Sequence, residues 1–302
     1  MTAAGVATAR LNPVRAIGRA ALALIRLVGA VALFAVRGVA AVFSPPWFPG
    51  QLVRQLVAIG FFSLPVVGLT AVFTGAALAL NIYTGGGRFN AEQVMPQIVA
   101  LGITRELGPV LASLMLAGRV SAAIAAEIGA MRATEQIDAM RTLSTDPFRY
   151  LVAPRLLAAV LVLPLLTVVA DTLGIAGGWL VAVRVLDFNP TTYIRNTATF
   201  LTAWDVGSGL IKAAAFGFIV ALMGCYHGYK ASGGARGVGR ATTHAVVSAA
   251  VLIFAADYLL TSLFAHPGRP RRNWNGGGST SALTALRSSP GSISASRRAA
   301  RW

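Results

Sequence analysis

The chain is poor in the residues that most chemistry needs. It has one cysteine, three histidines and ten acidic residues among 302. A lone Cys225 excludes an intrachain disulfide and a cysteine metal cluster. His227, His244 and His266 have no metal-ligand spacing, so no metal is expected. No Ser-His-Asp set or carboxylate pair stands out, so no catalytic residue is assigned and no cofactor is expected. Charged residues are only 12% of the chain, about half the share usual in soluble domains. No stretch therefore reads as a soluble core. The N-terminus lacks a short apolar run followed by a small-residue cleavage site, so the chain is expected to insert through its own membrane segments.

What the chain does have is grease and arginine. Hydrophobic residues make up 56%, the net charge is +16 and the mean hydropathy is +0.68. A strongly basic chain raises the question of nucleic acid. Here the arginines lie between and beside apolar runs, which fits basic loops on the cytoplasmic side of a membrane and not nucleic-acid binding.

The first apolar segment, residues 12–43, carries Arg15, Arg19, Arg26 and Arg37. At about 100° per residue these four fall on one stripe. Its longest uncharged run, residues 27–36, is half of the roughly 20 residues that cross a bilayer. The pattern predicts an amphipathic helix in the cytoplasmic interface, arginines toward lipid phosphates; the alternative is a tilted span with snorkelling arginines. "SPPWFPG" then breaks the helix. Five spans follow, at residues 58–83, 94–130, 147–183, 206–229 and 245–265. Pro65 predicts a kink in the first. Gly174 and Gly178 give the third a small-xxx-small pair for close helix contact. Asp146 before Pro147 reads as its N-cap. Residues 184–205 are amphipathic and lie outside the membrane. The fold class expected is an all-α polytopic membrane protein, with residues 1–50 as interfacial helix and linker, 51–266 as the membrane domain and 267–302 as a basic low-complexity tail. Basic loops at residues 126–150 and 230–244 put both on the cytoplasmic side. The tail's seven arginines oppose that rule, and the tail reads as disorder outside the selected fold.

Charges inside the apolar runs are functional candidates by default, because each costs at least ~2.5 kcal/mol to insert. Arg105 and Glu106 point about 100° apart on a helix, so each should pair with another helix or line a polar cavity. Lys212 is a further candidate, and Asp257 reads as half of a structural ion pair. "SGGARGVGRATTH" lacks the Gly-Lys-Ser/Thr ending of a phosphate loop and is expected to be a flexible connector.

The stretch "AEIGAMRATEQIDAMRTLSTDPFRY", residues 126–150, holds four of the ten acids: Glu127, Glu135, Asp138 and Asp146. Arg132 with Glu135, and Asp138 with Arg141, are three apart and favour a short surface helix. Ile137, Met140 and Leu143 give it an apolar edge. Charge and grease together predict a docking helix for a cytosolic partner.

The run from "RELGPVLASLMLAGRVSAAIAAEIGAMRATEQIDAMRTLSTDPFRYLVAPRLLA" resembles the signature region of the MlaE/YrbE permease family, and the similarity extends over residues 52–264, including "IKAAAF" and "GVGRATTHAVV". The resemblance implies the permease subunit of an ABC-type phospholipid transporter in the bacterial inner membrane. It implies a homodimer bound to cytosolic ABC ATPase subunits, with MCE-domain proteins on the periplasmic side. The chain itself would be no enzyme. The ATPase-coupling residues would be Glu127, Arg132, Glu135, Asp138 and Arg141. The lipid path would include Arg54, Leu78, Tyr83, Arg105, Glu106 and Lys212. Family members usually stop near the end of the fifth span, so the tail departs from the pattern. Two other classes stay open: a secondary transporter with Glu106 or Asp257 carrying protons, and an envelope scaffold.

Overall fold

A computed structural model of the protein describes residues 13–45, 48–86 and 91–265, all helices and short connections with no strand among them. The expected tail, residues 267–302, lies outside the described residues. Helix α1 spans Pro13–Phe43. α2 (Pro49–Gly60) runs through a 3-10 turn, Phe61–Ser63, into α3 (Leu64–Gly86). The next long stretch is α4 (Ala91–Gly102), α5 (Gly108–Leu116) and α6 (Ala122–Ala133), joined by π-helical turns at Ile103–Leu107 and Ala117–Ser121. α7 (Gln136–Thr142) is short. A π-helical turn at Phe148–Val152 opens α8 (Ala153–Arg184). α9 (Pro190–Phe200), α10 (Ala203–Tyr229) and α11 (Gly234–Ala265) complete the order. The chain divides after Ser262 into two compact units; of the second, the described residues are the last three of α11.

Six stretches among the described residues are long and apolar enough to cross a membrane: Ala21–Phe43, Pro49–Gly85, Val94–Ala133, Phe148–Arg184, Ala203–Tyr229 and Gly234–Phe264. The protein is an all-α, multi-pass membrane protein. Five of the six are the expected spans; the sixth, in α1, qualifies by length and apolarity alone.

The helix breaks follow from proline. Pro65 offers no N–H to the carbonyl of Phe61, and the chain tightens into the 3-10 turn, with Leu64 N–H bonded to Phe61 instead. Pro109 likewise cannot serve the carbonyl of Arg105, and a wide π turn forms just before it.

Glycine sets the distance between the spans. A Cβ on Gly75 of α3 would fall 1.8 Å from the carbonyl oxygen of Gly174, and one on Gly177 would fall 2.3 Å from that of Val72. Backbone therefore lies on backbone where α3 crosses α8, at the expected small-residue pair of α8. In the main core Leu116, Ile128, Leu163, Phe216 and Met223, from α5, α6, α8 and α10, are fully buried. A smaller cluster, Met95, Val99, Ala182 and Tyr193, anchors α9. Burial raises the Tyr193 phenol to about 12, so it stays neutral.

Two expectations are corrected. The glycine-rich segment is not a loop beyond Gly233: α11 begins at Gly234. Gly233 and Gly234 take φ of +89° and +64° to make the corner, and the following residues wind into helix, tertiary packing overriding glycine's low propensity. The Arg132–Glu135 pair does not form either. Glu135 sits at φ +59°, turning the chain between α6 and α7. Arg132 instead reaches Asp138 at 2.9 Å, with Arg141 on the same carboxylate at 3.4 Å. Asp138 thus staples α7 back onto α6. The Asp146 cap is present: its Oδ1 accepts the Phe148 N–H at 2.9 Å.

Replacing Gly75 by Val should destabilise the detergent-solubilised protein by about 3 kcal/mol, because no side chain can yield. Gly207→Ala, with nothing within 4 Å of the added carbon, should be neutral or stabilise by up to ~1 kcal/mol. Thermal unfolding of the two variants against the parent checks both.

Candidate functional site

Lys212 lies in α10 and is 2% exposed. An ammonium buried in an apolar span demands partners, and four surround it. Its Nζ donates to the Arg105 carbonyl at 3.0 Å, to Glu106 Oε2 at 2.8 Å and to Thr261 Oγ1 at 2.6 Å. Asp257 Oδ1 lies 3.0 Å away as an ion pair without hydrogen-bond geometry. The Arg105 carbonyl is the one that Pro109 leaves without a helical donor, so the π turn and the lysine fit as lock and key. Thr261 relays the contact, its hydroxyl lying 3.3 Å from both Glu106 oxygens. The node joins the α4–α5 turn, α10 and α11.

Arg105 turns the other way, toward Asp205 at 3.8 Å. Asp205 is held by its own helix start: its Oδ2 accepts from Thr202 N at 3.1 Å and Thr202 Oγ1 at 2.6 Å, a capping box. The expectation that Arg105 and Glu106 each pair with another helix therefore holds, and so does the ion-pair reading of Asp257. Sequence reasoning missed Asp205 as a partner, although Thr202 three residues before it is the signal of a capping box.

The node borders a groove. Val94, Ile98, Leu101 and Phe200 wall an open cleft of about 720 Å3, including its mouth, between α4 and the end of α9, and Arg105 and Glu106 also line it. Gln97 and Phe200 also belong to a polar shelf with Thr192, Arg195, Asn196 and Thr199. Polar rim, apolar wall and charged floor is the profile of an amphiphile. Arg105 and Glu106 have side chains 30% and 40% exposed, whereas that of Lys212 is 3%. The first two can touch a ligand there; Lys212 positions them.

The other expected residues are not gathered at this groove. Leu78 packs under it, its Cδ2 lying 3.6 Å from where a Cβ of Gly102 would be. Tyr83 is at the α9 end of α3, its ring 5.9 Å from Phe188. Arg54 is at the opposite, α7 end, in a cleft with Glu127 and Arg155. Glu127 leaves the α7 surface altogether: it binds Arg155 of α8 at 2.8 Å. Sequence reasoning also missed Arg119. It lies on the second π turn and donates to Ser63 Oγ at 2.6 Å, with Phe62 5.8 Å below its guanidinium. It ties that turn to the 3-10 break before α3.

Lys212→Met should destabilise the protein by about 3–5 kcal/mol, because it strands two carboxylates in an apolar setting. Adding Glu106→Gln and Asp257→Asn should recover most of that loss. Equal melting temperatures for the single and triple variants would mean that the lysine's loss acts through packing.

Residues 52–263 match the family described as Permease MlaE. A "Probable ABC transporter permease protein" of Rickettsia bellii is 50% identical over 254 residues, 84% of this chain and 98% of the relative. The "Protein TRIGALACTOSYLDIACYLGLYCEROL 1, chloroplastic" of Arabidopsis thaliana is 38% identical over 212 residues, 70% of this chain and 61% of the relative. The "Intermembrane phospholipid transport system permease protein MlaE" of Haemophilus influenzae is 35% identical over 215 residues, 70% of this chain and 82% of the relative. The matched segment contains the whole of the charged node, and with it the chain belongs to the MlaE permease family.

Proposed function

We propose that this chain is the permease subunit of an ABC-type transporter that moves phospholipid between the bacterial inner membrane and a periplasmic MCE-domain partner, driven by ATP hydrolysis in a separate cytosolic subunit. The observation that carries the reading is the groove beneath α9, apolar along its wall and ionic at its floor. A phospholipid has the same two-part chemistry: acyl chains need only apolar walls, and a phosphate needs a cation. Arg105 supplies it, since its 3.8 Å contact with Asp205 is long for an ion pair and can be exchanged. The relatives' names support the lipid class.

Coupling falls to the corner at α7. Ile137 is fully buried and anchors the short helix, and Asp138 holds it through Arg132 and Arg141. Arg141 also donates to the Tyr229 hydroxyl at the end of α10. Leu143, at the end of α7, is left 78% exposed, and Glu135 is exposed at its start. These two are the docking face for the ATPase, and the anchored residues pass its motion to α6 and α10. Two copies of the chain meet two ATPase subunits in this reading.

α1 lies along the cytosolic interface. Its inward residue Phe34 stacks near Phe148, Tyr226 and Tyr229, and Gly38 faces Val152 and Leu156. All of these are at the α7 ends of α8 and α10, as a helix lying flat at that level requires. Arg19, Arg26 and Arg37 are on its exposed surface.

In liposomes holding the permease with its ATPase and MCE partners, Arg105→Ala should lower ATP-dependent lipid movement by roughly tenfold or more while the ATPase remains bound. Leu143→Asp should instead release the ATPase, read by co-purification. Lipid movement by the isolated subunit on a proton gradient would sink the proposal in favour of a secondary carrier.

A further inference from the structure

Five acidic residues lie within the apolar spans of the described residues: Glu106, Glu127, Asp171, Asp205 and Asp257. Four of them face a cation. Glu106 and Asp257 hold Lys212, Asp205 faces Arg105, and Glu127 holds Arg155. Among the described residues Asp171 of α8 has no such pair. It is 7% exposed, and its buried Oδ1 has no hydrogen-bond partner. Ala170 and Gly174, on either side of it, share a small cavity with residues 67–74 of α3 and 107–115 of the α4–α5 stretch. Neither of those segments contains a titratable side chain. α10 brings Lys212 and Asp205, already taken by Glu106 and Arg105. Arg155 and Arg184 stand at the two ends of α8 itself. Asp171 Oδ1 lies against backbone instead. A Cβ on Gly108 would fall 1.8 Å from it and 3.0 Å from the Ile103 carbonyl oxygen. The Gly108 N–H donates to that same carbonyl and closes the π turn. The carboxyl therefore rests on the closing bond of the turn that carries Arg105 and Glu106.

We propose that Asp171 is a neutral carboxylic acid, and that its proton keeps this turn seated on α8 with Arg105 and Glu106 in the groove. A bare carboxylate with neither cation nor donor is far costlier in an apolar span than the acid. The acid also has an O–H to give, and the Ile103 carbonyl beside it has a second lone pair. Loss of the proton leaves the charge one remedy: the turn lifts from α8 and admits water. Arg105 and Glu106 travel with the turn. Asp171 is thus a positioning residue that acts on the groove through the π turn. The inference rests on the permease reading for the task of Arg105.

The test compares the full chain with Asp171→Asn, which keeps the shape and cannot ionise. In detergent at about pH 7, the parent should show the infrared C=O stretch of a protonated carboxylic acid that the variant lacks; no such difference overturns the proposal. In the unfolded chain Asp171 releases its proton above about pH 4, while the folded chain retains it. Raising the pH from about 5 to 7 should therefore favour unfolding of the parent, relative to the variant, by about tenfold per unit. The melting temperature of Asp171→Asn should match or exceed the parent's, with a lead that widens over that range. A lead that ignores pH, or a variant that fails to fold, would show a charged Asp171 and sink the idea. In liposomes with the ATPase and MCE partners, alkaline pH should slow the parent's lipid movement more steeply than the variant's, each relative to its own rate at pH 7. Parallel profiles remove the positioning role. Failure of the permease reading looks different: the parent complex would move no lipid with ATP, yet the infrared band and the widening lead would persist.

Discussion

The membrane domain depends on one buried ammonium. Lys212 is the place where three helical segments agree on their register, because α10 supplies the ammonium and the α4–α5 turn and α11 each supply oxygens to it. The Arg105 carbonyl is free because Pro109 cannot donate; Glu106 and Asp257 are carboxylates that an apolar span tolerates only when paired. The arrangement is self-consistent in both directions. Without the proline there is no spare carbonyl, and without the lysine there are two unpaired anions. A lysine in the same span elsewhere would have none of these partners.

Around that node the chain relies on absence of side chains. The α3–α8 seam is a backbone contact, so neither helix can rotate without collision. Lipid gives no hydrophobic advantage to helix association, and close packing has to supply it. The result is a rigid frame in which the few exposed polar groups, Arg105 and Glu106 on one side and the α7 corner on the other, keep fixed positions.

Much of this was legible in residue order. Apolar run length gave the spans, and the angle between adjacent Arg105 and Glu106 required separate partners for them. Gly174 and Gly178 announced a close contact. What stayed hidden was anything set by three-dimensional register. Asp205 reads as an ordinary helix-start acid until the fold brings Arg105 beside it. Glu127 reads as part of the surface cluster, yet its helix turns it onto Arg155. Glu135 was paired with Arg132 by spacing, but a residue in the left-handed region ends one helix and starts another, and the three-residue rule no longer applies across it. The glycines of residues 233–239 misled in the same way: two of them make a corner, and packing then carries the rest into helix.

The wide turns at Ile103–Leu107 and Ala117–Ser121 have a geometric consequence. Each inserts an extra residue into a helix that otherwise continues, so the segments on its two sides are out of phase by about 100°. A single rod with one oily stripe would have to choose one neighbour along its whole length. This one presents successive flanks instead, to α9 near its outer end and to α10 further in, like a screw whose thread has been reset twice. The reset lets one stretch of sequence serve both as a wall of the cleft at α9 and as the shaft that reaches the α7 corner.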